Sequence, residues 1–283
     1  MPLAARLLLV ALLGYLTVVA LMWAFQTRLV FLRVRAPVPD PRAEGIPHGE
    51  RISITTSDQV TLRGWYLPPD LPADPQNKAP ALLWFYGNGE SVGAIGSLAA
   101  GLRPHGYGLL LLDYRGYGEN GGRSSEDGLY RDAEAGYDYL ALRPEIDAGR
   151  IAVYGRSLGS VAALYLGTSR LVAAVVLDSP FTSARAMAQR HYPFLPRFLL
   201  RLSLDNLSRA RRLHRPLLVF HGTADRIAPV EMGRALAEAG HGDLVLIKGA
   251  GHNDTYDLQR AAYRTAMQRF LDAAMAPLDK EPR

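Results

Sequence analysis

The 283-residue chain contains no cysteine, which excludes disulfides and thiol catalysis and leaves the redox compartment open. Its histidines do not cluster with carboxylates at ligand spacing, so neither a metal site nor another cofactor is expected. No internal repeat is visible. Net positive charge is also scarce over most of the chain. Residues 1 to 42 hold Arg6, Arg28, Arg33, Arg35 and Arg42 against Asp40 alone, a net of +4 out of the formal +5, which leaves the remainder near neutral. A pI near 9.5 therefore does not indicate a nucleic-acid partner. Arg209, Arg211, Arg212 and Arg215 read as the solvated face of a helix.

The early arginines flank Leu7 to Phe25, a run without charge that is long enough to cross a bilayer as a helix. There they can meet anionic headgroups. Val18-Val19-Ala20 offers a small-residue cleavage site, but the apolar run continues through Trp23 and Phe25, which favours an uncleaved anchor over a signal peptide. The run is apolar all round and is followed by Pro37, Pro39, Pro41 and Pro47, which disfavours a core helix. Residues 1–28 are thus expected to be a single-pass anchor in the cell membrane. Residues 29–48 are expected to be a stiff Pro-rich spacer, 49–276 a catalytic domain and 277–283 a tail. More arginine follows the span than precedes it, which places the catalytic domain on the cytoplasmic side.

From Val60 onward, strand-like and helical runs alternate, and 48% hydrophobic composition can fill one large core. This predicts an α/β fold, a mostly parallel sheet of about eight strands with helices on both faces. Arg51 to Thr56 and Val60 to Leu67, joined by Ser57-Asp58-Gln59, should form an antiparallel hairpin at one edge.

Gly155-Arg156-Ser157-Leu158-Gly159 fits G-x-S-x-G between the apolar run Arg150 to Tyr154 and the Ala- and Leu-rich stretch Leu158 to Arg170. A serine on such a strand-turn-helix is exposed and strained, with glycines that permit close backbone packing. Ser157 is therefore the candidate nucleophile. It needs a base, an acid that orients the base and donors for an oxyanion. In this arrangement the chain order is nucleophile, acid, histidine. Of the seven histidines, only His241 and His252 follow the best acid candidate. His241 precedes the run Leu244 to Ile247, at the wrong end of the strand. His252 follows it, where open α/β sheets bind ligands. Asp225, in the turn after Pro216 to His221, is the acid. Asp178, after Ala174 to Leu177, is the second candidate, and Asp254 is read as a helix cap. The oxyanion donors should be the N–H of Leu158 and that of Asn88, with Gly87 as its substitute, in the loop after Ala81 to Phe85.

Taken in order, Tyr86-Gly87-Asn88-Gly89, Asp113-Tyr114-Arg115-Gly116-Tyr117-Gly118, the G-x-S-x-G, Asp178-Ser179-Pro180-Phe181, His221-Gly222-Thr223-Ala224-Asp225 and Gly251-His252 resemble the alpha/beta-hydrolase superfamily over residues 50 to 276. The resemblance is greatest to its small-lid, membrane-anchored serine hydrolases, the group described as serine aminopeptidase-like, with acyl-protein thioesterases and monoacylglycerol lipases among its relatives. Tyr86 stands where such proteins commonly carry histidine, and Asn120 where many carry serine. The first departure bears on the shape of the acyl pocket.

Gly116-Tyr117-Gly118-Glu119-Asn120-Gly121 also fits the dinucleotide fingerprint, but the next helix starts only near Ser124 to Asp127, with no second strand about 20 residues on. It reads as a structural loop. Residues 181–215, too short for a large cap domain, suggest a small apolar lid, in which Phe194, Leu195 and Phe198, together with Tyr86, would contact substrate. The expected activity is hydrolysis of a carboxylic ester or thioester, small-molecule or lipid, through an acyl-Ser157 intermediate. A serine peptidase is the alternative if Glu90 or Glu119 holds a substrate amine. A catalytically silent binding protein is the alternative from another class, and the complete Ser-His-Asp set argues against it.

Overall fold

Glu50–Thr55 (β1) and Thr61–Leu67 (β2) pair antiparallel, from Glu50 opposite Tyr66 to Thr55 opposite Thr61. The computed structural model describes residues 2–70 and 77–276, so the 277–283 tail lies outside it. The later apolar runs become β3 (Ala79–Phe85), β4 (Gly108–Leu112), β5 (Ile146–Arg156), β6 (Ala174–Asp178), β7 (Leu217–Gly222) and β8 (Asp243–Ile247). Every residue of β4, β6 and β7 is buried, as expected of strands covered on both faces. One eight-stranded sheet results, in the order β1-β2-β4-β3-β5-β6-β7-β8. β2 meets β4 antiparallel, and the remaining pairs are parallel. β3 and β5 are neighbours although β4 lies between them in sequence. The order reverses there, so the loops leaving their carboxyl ends diverge and open a crevice.

The helices are α1 (Leu3–Val30), α2 (Val92–Leu102), α3 (Glu126–Ala141), α4 (Gly159–Ser169), α5 (Ala184–His191), α6 (Asn206–Ala210), α7 (Val230–Ala239), α8 (Thr255–Leu258) and α9 (Arg260–Ala274). Ser125 caps α3 by accepting the Gly128 N–H, with Glu126 and Asp127 in the first turn. Gly136 of α3 packs on Leu83 and Leu112. Trp84, the next residue of β3 and so on the opposite face, stacks on Tyr154 at 3.6 Å. On that same face Tyr263 of α9 stacks on Phe220 at 3.9 Å and bonds to the Tyr154 hydroxyl at 2.9 Å. Helices therefore cover both faces.

The glycine loop is structural. Gly118 has φ +53°, and a Cβ there would lie 1.9 Å from Asp113 Oδ2. Asn120 braces the same turn, accepting from Arg63 N–H and donating to the Asp113 carbonyl. Burial pushes the Asp113 carboxyl up to about 6 despite hydrogen bonds from Val92 N–H and Tyr86 O–H.

The 29–48 segment, expected to be a stiff Pro-rich spacer, lies against the domain. It has neither helix nor strand over residues 32–40, but it is docked on the domain. Phe31 and Val38 are buried, Trp65 Nε1 donates to the Pro39 carbonyl at 2.8 Å, and Gly118 N–H donates to the Val34 carbonyl at 2.8 Å. Proline content sets local stiffness but carries no information about which surface a stiff segment lies on.

Candidate active site

The turn after β5 places Ser157 in the left-handed region at φ +48°, a conformation that costs a non-glycine residue about 1–3 kcal/mol. Its neighbours make the turn possible. A Cβ on Gly155 would sit 2.4 Å from the Gly159 carbonyl oxygen, and one on Gly159 would sit 2.2 Å from the Phe85 carbonyl oxygen. Both glycines are required by close backbone approach. Gly159→Ala is expected to push β3 and α4 apart, lowering the thermal midpoint and displacing Ser157. A variant with wild-type melting and wild-type probe labelling would contradict this.

Loops after β7 and β8 bring Asp225 and His252 to the same crevice. His252 Nε2 lies 2.9 Å from Ser157 Oγ, and His252 Nδ1 lies 2.7 Å from Asp225 Oδ2. An ionised carboxylate only accepts, so Nδ1 carries the proton and Nε2 is free to accept from the serine hydroxyl. The other carboxylate oxygen, Oδ1, accepts from the Ile227 and Ala228 N–H groups at 2.8 and 2.9 Å. Burial alone would raise the Asp225 carboxyl. Hydrogen bonds from His221, His252 and the Ala228 N–H outweigh it and hold the group well below the usual carboxylate range.

His221 was set aside by chain order, yet it supports this site. Its Nε2 lies 2.8 Å from the Ala228 carbonyl and 3.3 Å from Asp225 Oδ2. Two acceptors require a proton on Nε2, so His221 donates to the acid from behind. The signal was present in the four-residue spacing to Asp225 at the end of β7. His221→Phe is expected to lower kcat about tenfold, the equivalent of about 1.4 kcal/mol, with substrate KM little changed. Unchanged kcat in a folded variant would assign His221 to packing alone.

Arg156, inside the G-x-S-x-G itself, is a second residue that sequence reasoning passed over. Its buried guanidinium pairs with Glu90 of the β3 loop and donates to the His252 carbonyl at 3.1 Å and to Asn253 Oδ1 at 2.5 Å. It ties three active-site loops together. Glu90 in turn accepts the Gly87 N–H at 2.7 Å, which commits the substitute oxyanion donor elsewhere. Among the described residues, the N–H groups of Leu158 and Asn88 have no protein acceptor. Both residues line the cavity that holds Ser157 and His252.

Asp178 is separate from this hydrogen-bond chain. It shares the sheet face of Tyr154 and α9, where it accepts from Thr255 Oγ1 at 2.8 Å and from the Tyr154 hydroxyl at 3.0 Å. Its backbone carbonyl receives the Ser157 N–H at 2.9 Å. Asp254 occupies the N-cap position of α8, but its carboxylate turns back to the Gly251 N–H at 2.6 Å.

The cavity has a volume of about 610 Å³, within the usual range for ligand sites. Leu195 lines it, with Tyr192, Leu199 and Leu200 of the lid. The other expected substrate contacts lie elsewhere. Tyr86 is fully buried, with its ring against Tyr114 and its hydroxyl on Asp113 Oδ1 at 2.9 Å, because strand alternation turns it into the core behind the oxyanion loop. Phe194 and Phe198 are 51% and 84% exposed on the outer side of the lid, since the 3-10 turn Arg197–Leu199 directs Leu199 inward and Phe198 outward. Glu119 is held by Arg51 at 2.8 Å and by the Val38 N–H at 2.8 Å, so neither it nor Glu90 faces the cavity.

Residues 76–208 match the family described as Serine aminopeptidase, S33. An uncharacterized protein of Mycobacterium tuberculosis is 38% identical over 259 residues, covering 90% of each chain. The uncharacterized YfhR protein of Salmonella typhi is 29% identical over 245 residues, covering 80% of this chain and 82% of its own. Among solved structures, an esterase of Pyrococcus furiosus superposes with a TM-score of 0.66 at 21% identity, covering 86% of this chain and 98% of its own. An acylaminoacyl peptidase of Pyrococcus horikoshii superposes with a TM-score of 0.61 at 18% identity, covering 79% of this chain and 41% of its own. The sheet order, the strained turn at Ser157 and these relatives agree: the chain belongs to the alpha/beta-hydrolase superfamily.

Proposed function

We propose that this hydrolase is a membrane-anchored serine enzyme that cleaves carboxylic esters or thioesters through an acyl-Ser157 intermediate. The observation that carries the reading is the unbroken hydrogen-bond chain from Asp225 through His252 to Ser157, ending in a largely apolar cavity. His252 Nε2 takes the hydroxyl proton as Ser157 Oγ bonds to the substrate carbonyl carbon. The carbonyl oxygen becomes an oxyanion, stabilised by the N–H groups of Leu158 and Asn88. The intermediate collapses with cleavage of the bond to the alcohol or thiol, which leaves with the proton from His252. Water then gives its proton to His252 and attacks the acyl carbon, and the same histidine returns a proton to Ser157.

A peptidase reading has less support. Glu90 and Glu119, the carboxylates proposed to bind a substrate amine, are both occupied by arginine. The anchor is supported by α1, in whose most apolar stretch no residue is buried in the protein. Arg28, Arg33 and Arg35 at its exit favour a cytoplasmic catalytic domain.

Covalent labelling with a fluorophosphonate tests the nucleophile without knowledge of the substrate. Label on wild type at Ser157, followed by turnover in a screen of acyl esters and thioesters, is the expected result. A folded wild type that takes up no label and cleaves no ester would refute the proposal and favour a silent binding protein.

A further inference from the structure

Helix α1 reaches the active-site cavity. Val19, Met22, Trp23, Gln26, Leu29 and Val30 line it together with Ser157 and His252, and their spacing is that of one helix face. Other apolar residues of α1 point outward, including Val10, Leu13 and Leu21 on the opposite side of the helix, each more than half exposed. Both faces are apolar, so hydropathy alone does not distinguish the face that packs.

Polar contacts hold this face in place. Gln26 is buried, and its Oε1 accepts the Arg201 N–H at 2.7 Å while its Nε2 donates to the Leu199 carbonyl at 3.3 Å. The Arg201 guanidinium lies over the Trp23 ring at 4.6 Å. Beyond the helix exit, the Asn88 side chain donates to the Val30 carbonyl at 2.6 Å and accepts the Leu32 N–H at 2.9 Å. The residue assigned an oxyanion N–H thus also clamps the end of α1. Further along the helix, the Tyr15 hydroxyl donates to the Phe194 carbonyl at 3.0 Å. Tyr15 is roughly 22 Å along the axis from Val30 at about 1.5 Å per residue. A helix that crosses an apolar layer about 30 Å thick would therefore carry the lid tip into that layer. The exposed rings of Tyr192, Phe194 and Phe198 are suited to that surrounding.

We infer that α1 is one wall of an acyl-chain site, and that the substrate is a long-chain acyl ester or thioester borne by the bilayer and drawn between α1 and the lid without crossing water. This rests on the assignment of Ser157 as nucleophile. The anchor is then part of the substrate site, and removal of residues 1–30 would open the cavity on one side.

The test uses the full chain in phosphatidylcholine vesicles and a hexadecyl fluorophosphonate with a terminal diazirine. After reaction and irradiation, trypsin cuts after Arg6 and Arg28 and releases residues 7–28 as one peptide. The expected product joins the Ser157 peptide to that peptide. A probe bonded to Ser157 that marks only catalytic-domain peptides or lipid would overturn the α1 assignment while leaving the nucleophile intact. No bond to Ser157 would overturn the underlying reading and this one with it. Independently, Met22→Trp should lower the ratio of kcat/KM for a hexadecanoyl over a butanoyl ester about tenfold or more. Leu21→Trp, on the outward face, should keep the wild-type ratio. An unchanged ratio in Met22→Trp would overturn the inference.

Discussion

Ser157→Ala is expected to lower kcat by on the order of 10⁶ toward any ester that the wild type cleaves, and to abolish fluorophosphonate labelling. In the proposed mechanism the Ser157 hydroxyl bonds to the acyl carbon, and its proton passes to His252 Nε2 at 2.9 Å. His252→Ala should cost a comparable factor. The double variant should be little worse than either, because nucleophile and base act as a unit. What remains would come from the Leu158 and Asn88 donors and from substrate binding. Additive losses in the double variant would show that the two residues act in different steps. Retained labelling in Ser157→Ala would place the nucleophile elsewhere.

Asp225→Asn is expected to cost about 10⁴ in kcat by fixing the wrong tautomer of His252. The Ile227 and Ala228 N–H groups, at 2.8 and 2.9 Å from Oδ1, require an acceptor there and so determine which way the amide lies. Its NH₂ would then face His252 Nδ1, which becomes the acceptor, and Nε2 would carry the proton that it should receive from Ser157. The same NH₂ would face the Nε2–H of His221, with two donors opposed. Asp178→Asn is the comparison. It would place an NH₂ among the hydroxyls of Tyr154, Thr255 and Ser179, costing about 1–3 kcal/mol of stability with kcat changed far less than by Asp225→Asn. Thermal melts and single-turnover rates separate the two effects. The reverse ranking would show that Asp178 orients the histidine.

Much of the fold was legible because its signals are short-range. Apolar runs of strand length ending in glycine or aspartate mark β3 to β8, and the position of a residue just after such a run states which edge of a parallel sheet it occupies. Ser157, Asp225 and His252 were named on that ground, and the chain brings these three within hydrogen-bond distance. The glycines flanking Ser157 were legible for the same reason, since local backbone contact demands them. Arg156 was less visible because its role depends on loops from other strands, and a motif records only its own turn; His221 was passed over because chain order looks for the base alone, although its partners lie in its own loop.

The sequence by itself determined an α/β sheet with a strained serine turn, the strand ends that carry the polar site and an N-terminal helix of membrane-spanning length. Only the tertiary structure decided which side chains face the cavity. Tyr86 turned into the core and Phe194 and Phe198 turned outward, because side-chain direction in a loop or lid depends on what packs behind it. It also decided that residues 29–48 lie on the domain and that α1 lines the cavity. A helix apolar on all sides has no hydrophobic periodicity to declare its packed face, and that face emerges only when Gln26, Trp23 and the Asn88 clamp meet partners far away in the chain.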